Sequence, residues 1–168
     1  MKNDYLRPNV LGVRMISNVS PELAKQLSLN DRQKSLGLIT ADMDDVTYTA
    51  LDEATKASEV AVVYARSMYA GAGNASTKLA GEVIGILAGP SPAEVRSGLA
   101  AALDFMENGG HFISANEDDS IVYYAHCISR TGSYLSKQAG IEEGEPLAYL
   151  IAPPLEALYG LDAALKAA

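Results

Sequence analysis

Apolar and polar positions along the chain change period several times, and each change marks an element. Val10 to Val19 and Ser35 to Thr40 read as strands. Between them Ser20 can cap, and Pro21 can open, a short helix. The next apolar stripe, Val46, Ala50, Leu51 and Ala54, recurs at helical spacing and predicts a helix from Val46 to Ala57, with Asp44 or Asp45 as its cap. Val60 to Arg66 and Gly81 to Gly89 read as buried strands. Ser91-Pro92-Ala93-Glu94 is a capping box with proline at the first helical position. The stripe that follows, Val95, Leu99, Ala102, Leu103 and Met106, predicts a helix that Gly109 terminates. Ile121 to Ile128 and Leu147 to Ile151 are further strands, and Pro154 opens a last helix through Leu155, Leu158 and Leu165. The class is α/β (α+β), with open sheets flanked by helices.

The pattern also repeats. A shift of 112 places lays Ile16-Ser17, Leu23, Lys25-Gln26 and Leu38-Ile39 on Ile128-Ser129, Leu135, Lys137-Gln138 and Leu150-Ile151, seven identities in 24 ungapped positions. Two residues then drop out, and a shift of 110 lays Leu51-Asp52, Ala54 and Lys56-Ala57 on Leu161-Asp162, Ala164 and Lys166-Ala167. A duplicated module favours symmetric assembly over a single asymmetric active site. The first copy runs from about Asn9 to Gly109, and the second starts near Ser120 and reaches Ala168, whose counterpart is Ser58. The expected division is therefore residues 1–110 as a first domain and 111–168 as a second, incomplete at its C-terminus by about 50 residues.

At 168 residues and 48% apolar content the chain is an ordinary globular protein. Its formal charge of −8 argues against nucleic acid and anionic membranes, which select clustered Lys and Arg. No apolar run approaches a membrane span and Met1-Lys2-Asn3-Asp4 lacks the apolar core of a signal peptide, so a cytoplasmic location is expected. The single cysteine, Cys127, reads as a small apolar strand residue, and His111 and His126 as structural side chains. No zinc spacing and no cofactor motif is present, so neither a metal nor a cofactor is expected.

The sharpest local chemistry is Leu38-Ile39-Thr40-Ala41-Asp42-Met43-Asp44-Asp45, an apolar strand ending in acids. Three readings compete. The acids cap a helix and complement its dipole. Alternatively, Asp42 is the nucleophile and Asp44 the acid of a magnesium-dependent phosphohydrolase, which resembles the first motif of the haloacid-dehalogenase type; Asp118-Asp119 would then be recruited, but no lysine is suitably placed. In the third reading the carboxylates attract a small cation at an opening between subunits. The second copy turns at this place with Ala152-Pro153-Pro154, without acids, so the acids do something beyond capping. Ser67 to Thr77 is rich in glycine and small residues but lacks a phosphate-binding ending, and reads as a mobile loop. Glu82, at the start of an apolar strand, reads as a solvated strand end.

Long strings of the chain resemble the tandem-domain shell proteins of the bacterial ethanolamine-utilisation microcompartment. They include Ser35 to Asp42, Asp44 to Tyr48, Asp52 to Lys56, Val63-Tyr64, Tyr69 to Ala72, Ala80 to Val83, Ser129 to Ser136 and Leu150 to Ala157. The resemblance implies a non-enzymatic protein with two circularly permuted microcompartment domains per chain. Three chains would form a pseudohexagonal homotrimer that tiles the shell beside other shell proteins. It further implies gated pores, one central and three smaller, with ethanolamine bound in the smaller ones. Carried onto this sequence, the ligand-binding residues are Asp44, Asp45 and Glu82, with Tyr69 and the Phe112 backbone nearby. The gating segment is Ser67 to Thr77, including Met68, Gly71, Gly73 and Asn74. Family members continue beyond the counterpart of Ala168 by about the same 50 residues that the repeat register lacks, supplying strands and a helix equivalent to Ser91 to Asn108.

Overall fold

The computed structural model describes residues 4–68 and 82–167. Two antiparallel four-stranded sheets organise it. The first contains β2 (Val10–Ile16), β3 (Ser35–Ala41), β4 (Ala61–Met68) and β5 (Glu82–Gly89) in the order β2-β3-β5-β4. The second contains β1 (Tyr5–Leu6), β6 (Phe112–Ser114), β7 (Val122–Ile128) and β8 (Leu147–Ile151) in the order β1-β6-β7-β8. Residues 5–6 thus sit with the later part of the chain, with Tyr5 opposite Ile113.

The helices are α1 (Pro21–Gln26), α2 (Asp44–Ala57), α3 (Pro92–Asp104), α4 (Ser133–Ala139) and α5 (Pro154–Ala167). The repeat is visible in the element order: β2-α1-β3-α2 recurs as β7-α4-β8-α5. The two residues lost from the second copy come off a strand end. β3 runs to Ala41, whereas β8 stops at Ile151, two residues before the counterpart of Ala41.

The first sheet is buried on both faces, which explains why β3 and β5 are nearly continuous apolar runs. On one face Ile39, Ala41, Val83 and Leu87 pack against Ala50, Leu51 and Ala54 of α2 and Val95, Leu99 and Ala102 of α3. On the other, Leu36, Ile86 and Ala88 pack against Leu23 of α1 and its flanking loop. Two glycines set the helix-to-sheet distance. A Cβ on Gly37 would come within 2.8 Å of Val95, and one on Gly85 within 2.6 Å of Leu51.

Three local expectations are corrected. Neither Asp44 nor Asp45 caps α2. The N-cap is Met43, whose side chain cannot accept, and the two acids occupy the first turn, where they still complement the dipole. At α3 Ser91 accepts from the Glu94 N–H at 3.3 Å as expected, but the Glu94 carboxylate turns away from the box and accepts from the Glu59 N–H at 2.8 Å. The same helix ends at Gly109 as expected, but not as a regular α-helix. It widens into a π-helical turn, Phe105–Gly109, closed when the Gly110 N–H donates to the Phe105 carbonyl at 2.8 Å. Strand ends also shift: β2 ends at Ile16 rather than Val19, and β4 extends to Met68.

Candidate functional site: an acidic cluster where α2 meets the second sheet

Helix α2 belongs to the first sheet's core, but its polar side faces the second sheet. That side carries Asp45, Thr49 and Asp52, and each meets a residue of the second copy. The Tyr149 hydroxyl of β8 donates to Asp45 Oδ1 at 2.6 Å. The Tyr124 hydroxyl of β7 donates to Thr49 Oγ1 at 3.1 Å. Asp52 accepts from the Gly132 and Leu135 N–H groups at 2.7 and 2.8 Å.

Asp44 faces β4. Its Oδ2 accepts from the Ser67 hydroxyl at 2.6 Å and its Oδ1 from the Asp45 N–H at 2.9 Å, while Tyr48 and Ser67 share a further hydrogen bond at 2.9 Å. Ser67 and Met68 therefore close a strand, with Met68 paired opposite Glu82. Glu82 Oε1 accepts from the Thr40 hydroxyl at 2.8 Å, at the neighbouring end of β3. This ties Glu82 to the sheet, where a solvated strand end was expected.

The electrostatics of the cluster follow from burial. Burial raises the Asp45 carboxyl above its ordinary 3.8; the Tyr149 hydrogen bond opposes the shift, and the neighbouring Asp44 charge adds to it. Burial likewise pushes Tyr124 up to about 12 and raises Tyr149, whose hydroxyl also loses its proton less readily while it donates to Asp45. Both tyrosines are fixed donors at neutral pH. The result is a carboxylate pair, partly desolvated, whose charge only hydroxyls and one backbone N–H offset in these contacts. Such a pair favours a cation.

A cavity of about 560 Å³ opens beside it, lined by Arg7, Asn9, Asp44, Phe112 and Asp119 among others. A second hollow of about 200 Å³ is lined by Thr40, Met68 and Glu82. The structure thus brings Asp44 and Phe112 to one cavity, joins Asp44 to Asp45, and sets Glu82 beside the strand end that carries Ser67. Tyr69, Gly71, Gly73 and Asn74 lie outside the described residues.

Asp42 does not behave as a nucleophile. It is 5% exposed, and both its oxygens are occupied: Oδ1 accepts from the Asn9 N–H and Oδ2 from the Asn9 amide, each at 2.8 Å. A hydrolase needs that carboxylate aimed at substrate. His126 is half-buried between Phe105 and Tyr124, and His111 packs on Tyr5; burial lowers both imidazoles, so both are neutral at pH 7. Cys127 lies in β7 as expected, but on its exposed side. Among the described residues no three His, Cys, Asp or Glu side chains group as metal ligands, and no helix is long and apolar enough to cross a membrane.

Tyr149 and Tyr124 escaped the reading of the sequence. A usable signal existed: at the shift of 112, Tyr149 stands where the first copy has Gly37. Gly37 is sterically obliged by Val95 and Leu99, whereas its counterpart carries the side chain that reaches Asp45.

Residues 35–119 match the BMC domain family. The chain is 81% identical over its whole length to the bacterial microcompartment shell protein EutL of Clostridium perfringens, covering 77% of it, and 55% identical over 98% of its length to the Escherichia coli EutL, covering 75%. Its fold matches the Clostridium perfringens EutL crystal structure with a TM-score of 0.90, covering 99% of this chain and 76% of that one. EutL of Leptotrichia buccalis, 70% identical, gives 0.91 over the full chain and 77% of its own. PduB, a trimeric shell protein at 18% identity, shares the fold with a TM-score of 0.60. These relatives are structural shell components and not enzymes, which disposes of the phosphohydrolase alternative on Asp42. The chain belongs to the bacterial microcompartment shell proteins, and within them to the EutL group of the ethanolamine-utilisation microcompartment.

Proposed function

We propose that three copies form a pseudohexagonal trimer of tandem domains, residues 1–110 and 111–168, that tiles the shell with other shell proteins. In this reading the acids at the start of α2 line a small pore that binds ethanolamine. The observation that carries the binding site is the Asp44–Asp45 pair, desolvated yet hydrogen-bonded, beside a cavity that Phe112 also lines. Ethanolamine is an ammonium ion at neutral pH. At an effective dielectric near 20, a unit charge about 4 Å from a carboxylate gains about 4 kcal/mol, several times what bulk water allows. The segment read from the sequence as Ser67 to Thr77 is the proposed gate, with Ser67 and Met68 held in β4 at its base.

Calorimetry with ethanolamine tests this. Asp45→Asn with Glu82→Gln is expected to weaken binding about 10–100-fold, the loss of one or two charge-assisted contacts. Unchanged affinity in the double variant would remove the acids from the site.

The raised Asp45 carboxyl adds a pH dependence. An acid with its folded pKa raised holds its proton to higher pH than in the unfolded chain, and a bound ammonium favours the ionised form. Affinity is therefore full above the raised pKa and declines as pH falls through it. Tyr149→Phe removes the hydrogen bond that holds the carboxyl down, so the decline should begin at higher pH than in the wild type. Titrations between pH 8 and pH 4 read both midpoints, and coincident midpoints would contradict the role given to Tyr149.

A further inference from the structure

The cavity of about 560 Å³ beside the start of α2 is bordered by charges of both signs that do not pair. Arg7 lines it together with Asp42, Asp44 and Asp119, yet among the described residues Arg7 makes no ion pair and no hydrogen bond. The reason lies in the partners of the acids. Asp42 accepts from Asn9 at both oxygens, and Asp44 accepts from the Ser67 hydroxyl at Oδ2 and from the Asp45 N–H at Oδ1. Neutral donors aim these carboxylates, so the guanidinium is left over.

The backbone holds Arg7 in place. Leu6 is paired opposite Phe112 on β6, and the Asn9 N–H donates to Asp42 Oδ1 at 2.8 Å, so residues 6–9 form a strap from the second sheet to the end of β3. Three residue steps span at most about 10 Å, which confines Arg7 to the cavity wall near the start of α2. Its side chain is exposed and open to a solute. Leu6, Met43, Phe112 and Val122 supply an apolar lining between the charges. The volume lies within the range of roughly 300–1,000 Å³ typical of small-molecule sites and far exceeds what ethanolamine alone fills.

We propose that Arg7 is an anion subsite of this cavity, so that the site takes small amphoteric molecules, with the ammonium group at Asp44 and a carboxylate or phosphate at Arg7. This rests on the cation site proposed above and names a broader ligand class for it. A guanidinium presents a planar fork of N–H donors that matches either anion in bidentate fashion. Ethanolamine meets only the acidic side of the cavity, whereas an amine with an anionic group a few bonds away meets both. A diamine of the same length gains nothing, because its second cation faces Arg7.

Calorimetry with ethanolamine, β-alanine, O-phosphoethanolamine and 1,3-diaminopropane at one ionic strength tests the subsite. At least one of the two amphoteric probes is expected to bind about tenfold tighter than ethanolamine, and which one gains separates a carboxylate from a phosphate subsite. The diamine should bind no tighter than ethanolamine. Arg7→Gln should abolish the amphoteric gain and at the same time tighten ethanolamine, because it removes a cation from the wall; a merely structural loss would weaken both. His111 gives a second readout. Burial, and after it the Arg7 charge, lower this imidazole, which packs on Tyr5. An anion on Arg7 offsets that charge, so the His111 midpoint followed by proton NMR should rise with the amphoteric probe bound and should not rise with ethanolamine. His126, whose charged neighbours are Glu53 and Lys56 along with His111, serves as the reference. An amphoteric gain that survives Arg7→Gln would overturn the assignment to Arg7. Ethanolamine binding with no gain for either amphoteric probe and no rise at His111 would overturn the anion subsite and leave the cation site standing. A folded protein that binds none of the four would overturn both.

Discussion

Asp52→Ala should lower the unfolding free energy by about 3 kcal/mol or more, the largest loss expected from a single polar side chain here. Asp52 is 0% exposed and sits near the middle of α2, a position where a carboxylate is justified only by its partners. It has them. The two N–H groups it accepts are those of Gly132 and Leu135, the first donors of α4, and Lys56 supplies a counter-charge. Helix α4 has no cap of its own, because Gly132 at the N-cap carries no side chain. The alanine variant therefore strands two buried donors at about 1–3 kcal/mol each, while Lys56 keeps its closer pair with Glu53. Asp52→Asn should recover only part of the loss, since one amide oxygen accepts but the amide nitrogen opposes the second donor. Urea unfolding followed by circular dichroism and tyrosine fluorescence reads the difference, and hydrogen exchange should show α4 amides exposed before those of α2. A loss below about 1 kcal/mol would mean that α4 docks through Leu135 alone.

This contact also shows where the sequence could and could not be read. Most of the duplicated order was legible because its longer strands and helices carry periodic apolar positions and the repeat itself placed β8, but the short helix α4, with a glycine at its N-cap, was not read from the sequence. β1 and β6, at two and three residues, contain no period to read. The acids at Asp44 and Asp45 were legible as a cluster, since an apolar strand ends on them without a turn residue between. Their partners were not. Tyr149 lies 104 residues from Asp45 and Tyr124 75 from Thr49, distances that no local pattern bridges. The misreading of Asp44 and Asp45 as caps has the same origin: Asp44 is drawn to Ser67 on β4 and Asp45 to Tyr149, and both are tertiary partners stronger than a local backbone N–H. One signal was present and unused. Where the first copy opens its helix with Ser20-Pro21, the second opens with Gly132-Ser133, and a glycine at an N-cap invites a carboxylate from elsewhere.

Leu51→Ala is expected to destabilise the chain by about 2–5 kcal/mol, and how much of that Gly85→Ala recovers decides what sets the spacing of the acidic site. Leu51 is fully buried in the core between α2 and the first sheet, and Gly85 of β5 lies directly beneath it. A Cβ on Gly85 would come within 2.6 Å of Leu51 Cδ1, 2.9 Å of Cδ2 and 3.2 Å of Cγ. Gly85→Ala alone therefore overpacks the contact and should cost about 1–3 kcal/mol, pushing α2 away from β5. With Leu51 cut back to alanine, the new methyl enters the space the leucine vacates, so the double variant should be more stable than the sum of the single losses by about 1 kcal/mol or more. The same contact has a functional consequence. α2 begins with Asp44 and Asp45, and β5 begins with Glu82, so pushing α2 away from β5 changes the separation of the two acidic groups. In the proposed function, Gly85→Ala should weaken ethanolamine binding while every acid remains in place, and Leu51→Ala in the same chain should restore part of that affinity along with the stability. Strict additivity in the cycle would show that α2 and β5 are held apart by other contacts.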